Sequence, residues 1–477
     1  MNTPTRSSPA ASGATDRGMD LSAATQPSLA TTAGAICLYG FFLLLPLTYA
    51  LQVLTGRAEV AILTYALLTL GIAQTLWANF NRDSIRLPHQ SSSVQWLPLA
   101  FTFILVHHLI SVASATIAGD IDLPVRGMLL FTVPLLLFWV VQVMRPTRLK
   151  MLLVLLAAGG LIVAVEMIYE NFSARILLRP TAFQILNHAY ATARNSSEMT
   201  QLLGIAYRPP GLLEHLHAVT IFAALAAYAH AVLYCLEGRW YWLLGMAVCA
   251  SGLLLHGVRL PVAAAAVAFT LIACVFAWRE KDRIIRRRGL AVLAVMVALV
   301  LIQLFVDPLG TSRDYYWTAL RHGDFQVPNQ TGLQLVHQEA RTLYTQSEWG
   351  KLFLGQSSDL QGALLGHGII GWMQGASGSS DDLFALALLA QYGILGAAVF
   401  FGLLATTIYH AVAGLLRTRD MDAMSRALLY FSAGTLVILA LSIAHSGVLQ
   451  RKAIYPFFPL AAGLAWRFSR PSTAPGL

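Results

Sequence analysis

Three arginines stand in surroundings that point to chemistry. Arg208 opens Arg208-Pro-Pro-Gly211, with Glu214, His215 and His217 following at the start of an apolar run. Arg259 lies in His256-Gly-Val-Arg259-Leu-Pro261, between two apolar runs that succeed each other almost without a break. Arg341 belongs, with Arg313, Arg321, His337 and Trp349, to a long polar stretch from Asp307 to Asp382 in an otherwise apolar chain. A guanidinium donates two parallel hydrogen bonds in one plane, a geometry that suits phosphate. The connection at Arg259 is too short for a relaxed solvated hairpin, so its charge stands near a membrane boundary, where an unpaired charge is costly. An anion meeting it is one reading; snorkelling to lipid headgroups is the other.

The polar stretch ends in Ser379-Ser380-Asp381-Asp382, directly before an apolar run. Capping alone accounts for acidic residues at a helix start. His107-His108 interrupt another apolar run, where a polar pair lines a cavity or binds a neighbouring helix. Glu166 lies near the end of a third, placed either to snorkel or to join the arginines.

The elements that position these residues are membrane helices. The chain has 477 residues, 57% of them hydrophobic and 12% charged, with a mean hydropathy of +0.63. A soluble domain carries about 25% charged residues. The pattern is that of an all-α polytopic membrane protein. Each span needs about 20 apolar residues, and twelve segments qualify: 33–54, 60–79, 96–117, 125–143, 151–169, 212–235, 240–256, 260–278, 289–306, 383–408, 427–446 and 454–466. The seventh, eighth and twelfth are short or poorly separated, which gives a range of ten to twelve.

Basic residues orient the bundle. With the N-terminus inside, the inner segments carry 19 of the 32 lysines and arginines and the short outer loops 5. By the positive-inside rule both termini are cytoplasmic, and the loops at 170–211 and 307–382 lie outside. The resulting organisation is a disordered cytoplasmic tail (1–32), spans one to nine with the 170–211 loop (33–306), the large outer loop (307–382), spans ten to twelve (383–466) and a short cytoplasmic tail (467–477). The tail at 1–32 has too few large apolar side chains to fold, and the first span serves as the insertion signal. The net charge of +9 sits largely in topogenic loops and gives no reason to expect nucleic acid. The run Arg279 to Arg288 is a topology determinant and an anionic-lipid contact.

Three of these places, in this order, resemble the O-antigen ligase and O-antigen polymerase superfamily of bacterial envelope proteins. Arg208-Pro-Pro-Gly211 with Glu214 to His217 resembles the family's Arg-x-x-Gly segment before an apolar span. Gly257-Val-Arg259 resembles its Ser-Arg before a helix. Arg341, Trp349 and Leu354-Gly355-Gln356, followed by Asp382 and Gly393-Ile-Leu-Gly396, resemble its large periplasmic loop and exit helix. The resemblance covers about residues 200–410. One departure matters: ligases carry His-Asn, His-Ser or His-Gln at the start of the exit helix, and this chain has Asp382-Leu383, so the ligase histidine is not carried over. An acidic residue there looks more like some polysaccharide polymerases.

The resemblance implies glycosyl transfer at the periplasmic face of the bacterial inner membrane. The donor would be a glycan on undecaprenyl pyrophosphate. The acceptor would be a sugar hydroxyl, on a lipid-linked repeat for a polymerase or on lipid A-core for a ligase. Because the leaving group is already a pyrophosphate, neither nucleotide sugar nor cofactor is called for. Arg208, Arg259 and Arg341 would bind its developing charge. Asp382, His337 and Glu214 are the candidate catalytic groups, and Asp381, His215 and Arg321 candidates for orienting the acceptor. No metal site is expected: Asp120-Ile-Asp122 and Asp420-Met-Asp422 match an Asp-x-Asp pattern in two letters only. A chain-length regulator is a possible partner. The non-enzymatic alternative is a twelve-span transporter such as a lipid-linked oligosaccharide flippase. Against it stand the lack of parallel halves and the external position of the longest loop.

Overall fold

The structure, a computed structural model, describes residues 29–57, 59–80, 96–173, 211–213, 216–256, 259–280, 282–306, 341, 344–345, 348–354, 356, 359–373, 384–417, 421–443 and 452–469. Every regular element among them is helical. In chain order these are α1 (Leu29–Leu44), α2 (Thr48–Thr55), α3 (Glu59–Phe80), α4 (Trp96–Ile117), α5 (Asp122–Gly127), α6 (Val133–Leu135), α7 (Leu137–Val143), α8 (Pro146–Ser173), α9 (Leu216–Glu237), α10 (Trp240–His256), α11 (Arg259–Arg279), α12 (Arg283–Phe305), α13 (Glu348–Phe353), α14 (Leu360–Leu365), α15 (Gly368–Met373), α16 (Phe384–Leu416), α17 (Ala423–Ile443) and α18 (Phe457–Phe468).

Nine helices among the described residues are long and apolar enough to cross a membrane. Of the three segments expected to be short or poorly separated, the seventh is the 17-residue α10 and the twelfth the 12-residue α18, while the eighth is the 21-residue α11. Two crossings are built from pieces. Leu45–Leu47, a 3-10 turn containing Pro46, joins α1 to α2. Between α5 and α6 the turn widens to a π-helix at Met128–Thr132, with Pro134 just beyond. Proline removes a backbone donor and crowds the preceding turn, and π-turns bend helices.

The centre of the bundle is α9 with α17. In α9, 89% of the apolar window is buried, against 28% in α4 and 22% in α12, which turn most of their surface outward. Ala223, Ala224, Ala226, Ala227 and Ala229 give α9 a thin profile, so α8, α10, α11 and α17 all reach it. Small residues permit such close approach in membranes. Polar groups buried here are spent on other helices: Tyr228 Oη donates to Tyr430 O at 2.9 Å, His230 Nε2 to Ala157 O at 3.0 Å and Ser432 Oγ to Ala461 O at 2.7 Å. Unmade, each would cost its desolvation.

One end of the bundle, where α7, α9 and α18 finish, is closed by basic side chains. Arg288 donates to Cys235 O (3.0 Å) and Leu236 O (3.3 Å), the last carbonyls of α9. Arg467 donates to Val141 O and Met144 O at the end of α7, and Arg417 to Ser469 O (2.9 Å) after α18. Helix C-termini carry unpaired carbonyls and partial negative charge, so cations are favourable there. Arg426 and the buried Glu280 pair at 2.8 Å, and Glu237 gathers Lys150 (2.5 Å) and the Trp242 indole N–H (2.9 Å).

The segment expected to re-enter the membrane at 383–408 is helical from Phe384 and runs on to Leu416 as α16, which breaks at Gly393, where φ is 65°. Among the described residues, Gln391–Leu416 within it is long and apolar enough to cross a membrane. The described part of the 307–382 stretch carries α13, α14 and α15, with α14 and α15 packed on α16 and α15 also on α4 and α5.

Candidate functional site

A concavity among the described residues lies where α14 and α15 meet α4. It is a cavity of about 470 Å³, within the range of small-molecule sites. One wall is α4, contributing His107, Ser111 and Ser114 at positions i, i+4 and i+7, a single stripe of the helix. The other wall contributes Gln361, His367 and the backbone at Gly366 and Gly368. Phe103, Val106, Ile110, Leu365 and Ile370 supply the apolar lining.

Local sequence accounts for how the two walls meet. Gly366 and Gly393 both have positive φ, 68° and 65°, which glycine adopts at little cost. Their backbones touch: a side chain on Gly366 would meet Gln391 and the Gly393 nitrogen, and one on Gly393 would meet Leu364 and Leu365. The helix break and the turn after α14 therefore fit only as glycines. Ser111 Oγ accepts a hydrogen bond from the Ile370 N–H at 3.1 Å, seating α15 on α4. Asp359 Oδ1 accepts from the Gly362 N–H at 2.8 Å and caps α14.

His107 and His108 do both things the sequence allowed for the pair. His107 donates through Nε2 to Leu365 O at 2.8 Å and lines the cavity, while its buried Nδ1 has no hydrogen-bond partner. His108 faces the interior. Tyr392 Oη lies 2.6 Å from its Nε2 and Thr132 Oγ1 3.5 Å from its Nδ1, and the Thr132 hydroxyl is 3.3 Å from Gly127 O. One proton arrangement satisfies all three: Tyr392 donates to Nε2, Nδ1–H to Thr132, and Thr132 to Gly127 O. The relay ties α4 to the π-turn and to the residue beside the break in α16. Tyr392 also stacks on His108, with ring centroids 5.6 Å apart and planes within 10°.

A second group of polar side chains is buried in α8. Glu166 and Glu170 are 5% and 1% exposed, one helical turn apart. The Glu166 carboxyl lies beside that of Glu170 and the Leu212 N–H, yet neither of its oxygens meets a partner in hydrogen-bond geometry. Leu212 belongs to a 3-10 turn, Gly211–Leu213, that packs on α8 and α9. Glu166 therefore does not snorkel; it faces the turn that continues from Arg208-Pro-Pro.

Most residues singled out in the sequence, namely Arg208, Glu214, His215, Arg321, His337, Asp381 and Asp382, lie outside the described residues. Arg259 is the first residue of α11, and only its backbone is described. Arg341 is exposed, its carbonyl accepting from Thr345 Oγ1 at 2.9 Å. Among the described residues none of these is brought into contact with another. The described members of the Asp-x-Asp pairs have structural partners: Asp120 accepts from the Leu123 N–H (3.3 Å), Asp122 pairs with Arg126 (3.0 Å) and Asp422 caps α17 through the Met424 and Ser425 N–H groups (2.9 and 3.0 Å). Partial burial pushes the Asp422 carboxyl up, but the bonds from the Ser425 hydroxyl and these amides outweigh it and hold its pKa below the ordinary value.

Ser111, Ser114, Gln361, His367, Tyr392 and Glu170 are the residues that reading the sequence missed. The stripe of His107, Ser111 and Ser114 carried a signal, because polar residues four and three apart on an apolar span mark a face that must be covered. The others carried none, since their partners are distant in sequence. No family model matches the chain and no curated protein matches it in sequence.

The cavity and the arginine clasp lie at opposite ends of the bundle. The run Asp122–Val143 begins beside α4 and α15 and finishes at Arg467. At 1.5 Å per residue it spans roughly 33 Å.

Proposed function

We propose that this protein is a membrane glycosyltransferase of bacterial surface-polysaccharide assembly, of polymerase type. It transfers a glycan from undecaprenyl pyrophosphate to a sugar hydroxyl on another lipid-linked repeat. The observation that carries this reading is the cavity: part of the longest polar stretch folds back onto a span and encloses a space lined by hydrogen-bonding groups. A transporter has no need of so long an extramembrane segment, whereas an enzyme working at a membrane face uses one to cover its substrate and exclude water.

The side follows from charge. The cations that close α7, α9 and α18 belong to the basic set that the positive-inside rule assigns to the cytoplasm. The cavity at the opposite end then opens toward the periplasm, where lipid-linked glycans are assembled. Arg208, Arg259 and Arg341 hold the pyrophosphate as charge develops on it. Asp382, His337 and Glu214 remain the candidates for the acceptor hydroxyl, and the buried Glu166 joins them because it faces the turn that leads from Arg208.

The test is the lipid-linked glycan in cells lacking the protein. Single repeats facing the periplasm are expected. Full-length polymer still on undecaprenyl pyrophosphate would make the protein a ligase acting on lipid A-core, and repeats held at the inner leaflet would make it a flippase. Arg208→Ala and Arg259→Ala should each lower polymer formation by about 10²-fold or more, the scale of losing one charge-stabilising group, while the protein still accumulates in the membrane. Normal glycan length in both variants would remove the phosphate-binding role.

A further inference from the structure

We propose that the cavity between α4 and α14–α15 binds an uncharged pyranose ring of the glycan, and that the pyrophosphate binds elsewhere. This rests on the glycosyltransferase reading and adds to it a location for the sugar. The argument begins with what the lining lacks. Among the described residues no arginine, lysine, aspartate or glutamate lines the cavity. A pyrophosphate brought here would lose its hydration and meet no cation, which is prohibitively costly. A hydrocarbon ligand would fare no better, because it would take water from the Ser114 hydroxyl and the Gln361 amide and offer them, and the remaining proton of Ser111, nothing in return.

A neutral sugar matches both halves of the surface. A pyranose carries hydroxyls around its rim and C–H groups on its faces. Its hydroxyls need donors and acceptors at several points, and the cavity offers them on two walls: His107, Ser111 and Ser114 from α4, Gln361 and His367 opposite. The state of these groups is suitable. His107 Nε2–H is committed to Leu365 O, which leaves Nδ1 as a buried acceptor without a partner. Ser111 Oγ already accepts from Ile370 N–H, which leaves its own proton to donate. The C–H faces need an apolar surface, and Phe103 provides an aromatic one beside His107, ring centroids 6.4 Å apart. The volume of about 470 Å³ accommodates one ring with its hydration rather than a long oligosaccharide.

The ring could come from the acceptor or from the donor, and one set of measurements separates them. The purified full-length protein in nanodiscs is titrated with a panel of methyl pyranosides, and binding is read by saturation-transfer NMR. At least one pyranoside should bind to the wild type, sodium pyrophosphate should not displace it, and Ser114→Leu, which puts a bulkier apolar group in place of a hydroxyl on the cavity wall, should weaken the signal at least several-fold. Ser114→Ala, which leaves the space open, should retain it and serves as the variant that folds if the leucine does not. Lipid-linked glycan is then supplied. A bound pyranoside that becomes glycosylated occupies the acceptor position; one that only inhibits transfer occupies the donor's sugar position. Absence of binding by every pyranoside, displacement by pyrophosphate, or unchanged binding in a folded Ser114→Leu protein would overturn the proposal. The two readings fail separately. Transfer that persists in Ser114→Leu removes the sugar site and leaves the enzyme, whereas pyranoside binding without any transfer by the wild type removes the enzyme and leaves the site.

Discussion

The two ends of the bundle use polar side chains in opposite ways. At the end where α7, α9 and α18 finish, the described basic groups that turn inward meet carbonyls or a carboxylate: Arg288, Arg417 and Arg467 on helix C-termini, and Arg426 on Glu280 through Nη1, its buried Nε being left over. At the other end, His107 keeps an unpartnered nitrogen, Glu166 lies buried beside Glu170 and the Leu212 N–H, and polar hydroxyls line a cavity. Where polar groups close on the protein itself they lock helices together. Where capacity is left over in a buried place, the desolvation cost stands uncompensated until something binds. The comparison assigns rigidity to one end and recognition to the other.

The largest expected effect attacks the locked end. Glu280→Ala leaves Arg426 facing a largely buried space, its side chain 16% exposed, and should destabilise the protein by about 3–5 kcal/mol. Denaturant unfolding in mixed micelles reads this, and replacing both residues by leucine should recover most of the loss. If Glu280→Ala is as stable as the wild type, the end is not locked by that pair. Next is Gly393→Ala at the recognition end. A side chain at φ 65° and against the Leu364 carbonyl should cost about 1–3 kcal/mol and speed proteolysis of the segment between α14 and α16. An unaltered cleavage rate would mean that the glycine contact does not hold the cavity wall.

A comparable effect is expected from Tyr392→Phe, which removes the donor to His108 Nε2 and keeps the ring stack. The buried nitrogen left unpaired should lower stability by about 1–3 kcal/mol, measured as apparent Tm, toward the lower figure if Thr132 re-partners. A rise in Tm would show that the relay is not formed as drawn. The smallest is Asp422→Ala, an exchange of an N-cap worth about 1 kcal/mol. The Asp422 pKa is depressed on folding, so its contribution is complete above the ordinary value of 3.8 and is lost as pH falls through the lower folded value. The gap between wild type and Asp422→Ala should therefore be steady from pH 7 to pH 5 and narrow below about pH 4. A gap that persists undiminished at the lowest pH would assign it to packing.

Much of the architecture was legible because hydropathy and charge are local properties. The long apolar runs became long helices, and of the three segments singled out as short or poorly separated, two are short helices, the 17-residue α10 and the 12-residue α18. The start of the exit helix was legible too, since the apolar run from Leu383 becomes α16 from Phe384; its break at Gly393, where φ is positive, was not. Of the candidate site, the His107-His108 pair and Glu166 were visible as polar residues in apolar runs; what each faces was not.

The amino-acid sequence by itself determined that the chain is a helical membrane protein, which segments are apolar enough to span, and which ends carry the excess of cations. These follow from transfer free energies summed along a single segment, with no knowledge of neighbours. Only the tertiary structure decided that the long polar stretch returns to α4, that His108 meets a tyrosine 284 residues away, and that the arginines counted for orientation also cap helices. Those choices depend on the rotation of each helix about its axis and on which backbones can touch. They are set by packing between segments far apart in the chain, to which no local window has access.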